Sequence, residues 1–161
     1  MRRYIKSSKR SLALLKHSKQ SLAKGIGRKK KSTGLVWQKA PDIKKRLNSF
    51  KNKLSLDFLN LERIFVYRSF NSSSKAYART WGFPRIWQIS LSQEPAYVIE
   101  VISEKFDKLL ASEQDKVLLH ELAHIPKNFS GSLLPHIRHG KRSFHNKVKE
   151  LIIRHLNLSG K

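Results

Sequence analysis

The chain is 161 residues long and carries 34 Lys/Arg against 11 Asp/Glu, a formal net charge of +23, with no cysteine. That length suits one domain with a modest core, and the lack of thiols excludes disulfides, thiolate zinc sites and a cysteine nucleophile, so any metal must be held by His and carboxylate. The charge is uneven: residues 1–53 hold 18 Lys/Arg and one acid, Asp42, whereas residues 54–161 hold 16 against 10.

Residues 1–33 mix Lys, Arg and Ser with few large apolar residues. Their apolar run at 12–15 is too short for a signal-peptide core or a membrane span, so no membrane partner and a cytoplasmic location are expected. Ile5, Leu12, Leu15 and Leu22 could line a weak basic amphipathic helix before Gly25 and Gly27 break it. The expected organisation is a basic extension over 1–33 and a folded domain over 34–161. Through residues 1–53 the chain could contact nucleic acid or another polyanion by phosphate neutralisation; the competing reading is a solvated extension.

From Ala40 the pattern changes. Pro41 suits a first helical turn, and Ile43, Leu47, Phe50 and Leu54 recur at helical spacing, which predicts an amphipathic helix with a Lys/Arg outer face. Residues 63–70 are rich in β-branched and aromatic side chains and read as a strand. Asn71 to Ser74 reads as a turn, and residues 76–83 as a connection leading to Pro84. A second strand is expected over 85–91 and a third over 97–102, followed by a short helix over 103–110. The fold class is therefore α+β, with a three-stranded sheet between N- and C-terminal helices.

Ser112 and Gln114-Asp115 around Glu113 read as a capping box opening the next helix, which Pro126 ends. Inside it stands His120-Glu121-Leu122-Ala123-His124. Residues four apart share a helix face, so both imidazoles can converge on one metal ion, with Glu121 about 100° round the axis beside them. Zinc takes neutral imidazole nitrogens in a tetrahedral shell and keeps a position open for water when the protein supplies three ligands. Glu121 would be the base for that water. The competing reading, a core helix whose histidines bond to neighbours, gives the intervening Glu no purpose.

A third ligand has to come from elsewhere. His136 is the first candidate, because the loop after Pro126 can fold back over the helix and Pro135 restricts the backbone just before it. His139 is the second, and His145 and Glu150 on a last helix from about Ser143 are further alternatives. That helix places Phe144, Val148, Leu151, Ile152 and His155 on one stripe. His145 and His155 themselves read as surface or polyanion-contacting residues.

The segment HELAHIPKNFSG followed by LPH resembles the small zinc metallopeptidases described from phages and archaea, distant relatives of the SprT-like zincins. The similarity extends back through RSFNSSSKAYARTWGFPRIWQISL and YVIEVISEKFDKL and so covers roughly residues 35–140. It implies a compact zincin-like domain, one zinc ion, a protein or peptide substrate and metal-dependent hydrolysis. It also implies His120 and His124 as ligands, Glu121 as catalytic residue and His136 as third ligand. The family often has a small or polar residue after that last histidine; here Ile137 precedes Arg138-His139-Gly140, which leaves His136 and His139 both open. Arg138, His139, His145, Tyr77 and Arg68 are candidates to stabilise the oxyanion, and 85–91 is the expected edge strand for substrate. The alternative is a zinc-stabilised or inactive scaffold that binds nucleic acid through its basic N-terminus; an intact Glu121 favours the enzyme.

If residues 1–33 neutralise phosphates, the full chain binds DNA or RNA with little sequence preference, and log affinity falls linearly with log salt. Deleting those residues should flatten the slope; an unchanged slope in titrations at two salt concentrations would assign them to solvent.

Overall fold

The computed structural model describes residues 34–136 and 144–159. The basic extension 1–33 lies outside the described residues, as do Arg138 and His139 in the stretch 137–143. Within the described residues the fold is α+β: four strands form one sheet and five α-helices surround the sequence between and after them. No helix among these residues is long and apolar enough to cross a membrane.

The first strand, β1 (Val36–Lys39), leads into α1 (Pro41–Leu54). Pro41 opens this helix and Ser55, in the left-handed region, closes it; Ile43, Leu47, Phe50 and Leu54 are its buried stripe, as the periodicity predicts. After a single 3-10 turn come β2 (Ile64–Phe70), β3 (Ala78–Gly82), α2 (Arg85–Leu91), β4 (Tyr97–Ile102), α3 (Ser103–Phe106), α4 (Ala111–Ala123) and α5 (Phe144–Ser159). The sheet order is β1-β2-β4-β3; β2 and β4 are parallel, and β1 and β3 run antiparallel to them at the two edges. Helices α1, α4 and α5 pack together on one face, where Leu47, Leu54, Leu59, Ile64, Ile99, Leu118, Leu119 and Leu122 are fully buried. Burial of each such aliphatic side chain contributes roughly 1.5–3 kcal/mol.

Three expectations are corrected. The sheet has four strands, because β1 adds to β2 just inside the domain start and β3 occupies the stretch read as a connection. Only five residues long, β3 carries the mixed sequence ARTWG, so its alternation is too short and too polar to stand out. The segment 85–91 is a helix, although Ile86, Trp87 and Ile89 favour strand. Pro84 accepts the first amide bonds from Trp87 and Gln88 at 2.9 and 3.2 Å, and left-handed Ser92 stops the turn. Its apolar residues are exposed and its buried residue is Gln88, the reverse of what composition suggests. Finally, α4 starts one residue before the expected capping box: Leu110 is the N-cap, without a side-chain bond, and Ser112 lies within the first turn.

Gln88 explains why this helix is kept. Its amide donates to Phe83 O at 2.6 Å and Ser130 O at 2.8 Å, binding α2 to the loop that follows α4. Buried Tyr97 reaches the same loop, accepting from Gly131 N–H at 2.8 Å and donating to Ser132 O at 3.0 Å. Gly131 itself sits at φ +85°, and a Cβ there would collide with the Phe83 carbonyl and the Gln88 amide. Gly131→Ala should therefore destabilise the domain by about 1–3 kcal/mol, measured by urea unfolding; a variant as stable as the parent would mean that the loop is not pinned as described.

Candidate metal centre

The last turn of α4 and the loop behind it bring three imidazoles together. His120, His124 and His136 each offer one ring nitrogen, and these atoms lie within 4.8 Å of one another. His120 Nε2 and His136 Nε2 are 3.1 Å apart. Bonds of roughly 2.0–2.1 Å from a tetrahedral ion would set such nitrogens about 3.3 Å apart, so the donor set fits a zinc-like cation. Among the described residues this is the group of ligand atoms with that spacing. His145 and Glu150 are exposed on α5 and stand outside it.

His124 is oriented by the loop. The Leu134 carbonyl lies 2.7 Å from His124 Nδ1 and can only accept, so Nδ1 carries the proton and Nε2 is left with its lone pair. Leu134 N–H in turn donates to His124 O at 2.8 Å. From the other side, Lys147 Nζ on α5 donates to Ala123 O at 2.7 Å and Ile125 O at 3.3 Å, satisfying carbonyls at the C-terminal end of α4. Phe144, the first residue of α5, backs the cluster: it stacks on His124 with centroids 4.3 Å apart and packs edge-on against His120 and His136 at 5.1 and 4.6 Å.

Burial and neighbouring charge favour the neutral forms of His120 and His124. Burial, followed by the neighbouring His124 and His136, depresses the His120 pKa to about 4. His124 is lowered by burial, a shift that its bond to Leu134 opposes and Lys147 reinforces. Neutral imidazole is the form that binds metal. Glu121 is 7% exposed and its pKa is raised by burial against the opposing Thr80 hydrogen bond. Thr80 Oγ1 on β3 lies 2.8 Å from Glu121 Oε2 and 3.1 Å from Glu121 O, so edge strand and helix are joined at the carboxylate.

The site opens into a cleft of about 360 Å³ lined by Ala78, Arg79, Thr80, Trp81, Leu133, the three histidines and Glu121. The strand beside it is β3, not the 85–91 segment expected to serve as edge. Tyr77 is on the adjoining recess, with His120 and Glu121. Arg68 is tied to Asp42 at 3.0 Å and Asp107 at 3.1 Å instead. His155, read as a surface residue, is buried, 3.2 Å from Asp115 and edge-on to Phe50. Thr80, Phe144 and the Leu134 carbonyl were not singled out for the site from sequence. Only the stripe position of Phe144, one turn before Val148, hinted at any of them.

The His120 shift has a consequence for the metal-free protein. Its folded pKa lies below the unfolded value near 6.5, so the unfolded chain binds the proton first, and stability falls as pH drops from about 6.5 to about 4. Glu121, raised in the folded state, acts in the opposite sense at and above its ordinary value. Subtracting the unfolding free energies of His120→Gln from those of the parent across that window isolates the histidine: the difference should decline toward acid, and a flat difference would contradict the burial-driven shift.

A family model described as "Putative phage metallopeptidase" matches residues 35–153. No curated protein and no solved structure matches the chain. The match takes in the whole sheet, α4, the pinned loop and the histidine cluster, and the chain belongs to this putative phage metallopeptidase family.

Proposed function

We propose that the protein is a zinc-dependent peptidase in which His120, His124 and His136 hold one zinc ion and Glu121 is the general base. The observation that carries this reading is the convergence of three imidazoles beside the buried carboxylate of Glu121. Imidazole nitrogens without thiolate suit zinc among the borderline metals. When bound, zinc supplies Lewis acidity toward water and the substrate carbonyl.

The rest follows from the chain's own groups. Glu121 holds one carboxylate oxygen against Thr80 and has the other free to take a proton from water and return it to the leaving amine. Its burial strengthens it as a base. The free edge of β3 runs along the cleft, which supports binding of an extended peptide as an added antiparallel strand. Tyr77, half exposed beside His120 and Glu121, is the described candidate for an oxyanion partner.

Glu121→Gln preserves shape but cannot accept the proton. It should keep zinc by elemental analysis while peptide-library cleavage falls by about 10²-fold or more; undiminished cleavage would reject this mechanism. His136→Ala should lower zinc affinity more than His139→Ala. The opposite ranking would move the third ligand three residues along.

A further inference from the structure

The face of the sheet turned away from α1, α4 and α5 carries exposed aromatic rings, of which Trp81 also borders the cleft while Trp37 and Phe65 stand outside its lining. Three register rows cross it: Phe65, Val98 and Trp81; Lys39, Tyr67, Glu100 and Arg79; then Trp37, Ser69 and Ile102. Trp37, Trp81 and Phe65 keep 55%, 50% and 45% of their surface open to solvent. Large apolar residues exposed together on one face mark an interaction surface.

The rings are held in place. Glu100, in the middle row, is 1% exposed and accepts Trp37 Nε1–H at 3.1 Å and Trp81 Nε1–H at 3.0 Å. Arg79 adds its charge 3.3 Å from the same carboxylate and lies 5.4 Å from the Trp81 ring centre. Burial alone would raise the Glu100 pKa, but the bonds from Trp81, Ser69 and Trp37 and the Arg79 charge more than offset it. A buried carboxylate thus fixes two indoles by their N–H edges while half of each stays open. Beside Trp81 a recess of about 280 Å³ opens between Phe65, Phe83 and Val98, with Arg63 at its rim. Arg63 donates to the neutral Pro95 carbonyl, which leaves its charge uncompensated by that contact.

Charge decides what this face can take. Lys39, Arg63 and Arg79 surround it, and the acid in its rows, Glu100, is buried and paired. A second copy of the chain brings another +23 and is disfavoured by like charge. A polyanion with flat apolar units meets both requirements. We propose that the outer sheet face binds single-stranded nucleic acid, with bases stacked on Trp37, Trp81 and Phe65 and phosphates drawn to Lys39 and Arg63. Duplex bases are stacked on each other and cannot use the platform.

The test uses the full chain with a labelled oligothymidylate of about 20 nucleotides and a duplex of the same length. Oligothymidylate should bind more tightly than duplex and quench tryptophan emission. Trp81→Ala and Phe65→Ala should each weaken oligothymidylate binding about fivefold or more and leave duplex binding, carried by charge, within about twofold. Phe65 makes no hydrogen bond to Glu100, whose partners include Trp37, Trp81 and Arg79, so its variant remains informative if loss of Trp81 perturbs the fold; unchanged far-ultraviolet circular dichroism verifies this. Equal losses on both probes, or unchanged oligothymidylate affinity in the Phe65 variant, would overturn the proposal. So would a dimer in sedimentation that Trp81→Ala dissociates, because the face would then belong to a second copy.

Discussion

The candidate centre depends on how one loop is fastened to one helix end. Leu134 N–H donates to His124 O at 2.8 Å while the His124 ring donates from Nδ1 to Leu134 O at 2.7 Å. Each bond contributes only about 0.5–1.5 kcal/mol net, yet together they set the tautomer of one histidine and the position of another two residues along. The loop can make this closure because it is anchored upstream, where Gln88 and Tyr97 grip residues 130–132. Helix α2 and strand β4 therefore act on His136 without touching it. Phe144 completes the support from the opposite direction, filling space that would otherwise let the three rings rotate.

How much of this was legible in the sequence follows from the range of the interactions. Helices α1 and α5 could be read because burial of one face imposes a 3.6-residue period, and Ile43, Leu47, Phe50 and Leu54 display it without help from distant residues. The 120/124 pair is legible for the same reason. Strand β3 and helix α2 were not, because neither is decided locally. Five residues of β3 acquire their strand conformation from pairing with β4, and α2 carries exposed Ile86, Trp87 and Ile89 on a helix kept by the buried amide of Gln88. Within the site, Thr80 lies 41 residues from Glu121 in sequence. No pattern of spacing could link them.

The lowered pKa values of His120 and His124 tie the electrostatics to the fold. In a chain of net +23, charging another histidine beside Lys147 and two more imidazoles would add repulsion, and burial raises the cost further. Both effects lower the pKa values of His120 and His124. The same burial raises that of Glu121, moving the acid and the bases toward one another. A single cavity wall made of α4 and β3 thus prepares neutral nitrogens and a more basic carboxylate at once, the pairing that the proposed chemistry calls for.

Strand β3 joins the two faces of the sheet through alternation alone. Thr80 points to the helix layer and meets Glu121, whereas Arg79 and Trp81 point the other way and meet Glu100. Its register is fixed by pairing Thr80 with Ile99 and by Gly82, where a Cβ would run into the Gly131 carbonyl. A slip of one residue would turn an indole toward Glu121 and a hydroxyl toward Glu100, disrupting both arrangements together. The edge strand is consequently under two independent constraints, and the buried carboxylates on either side of it are the anchors that read its register.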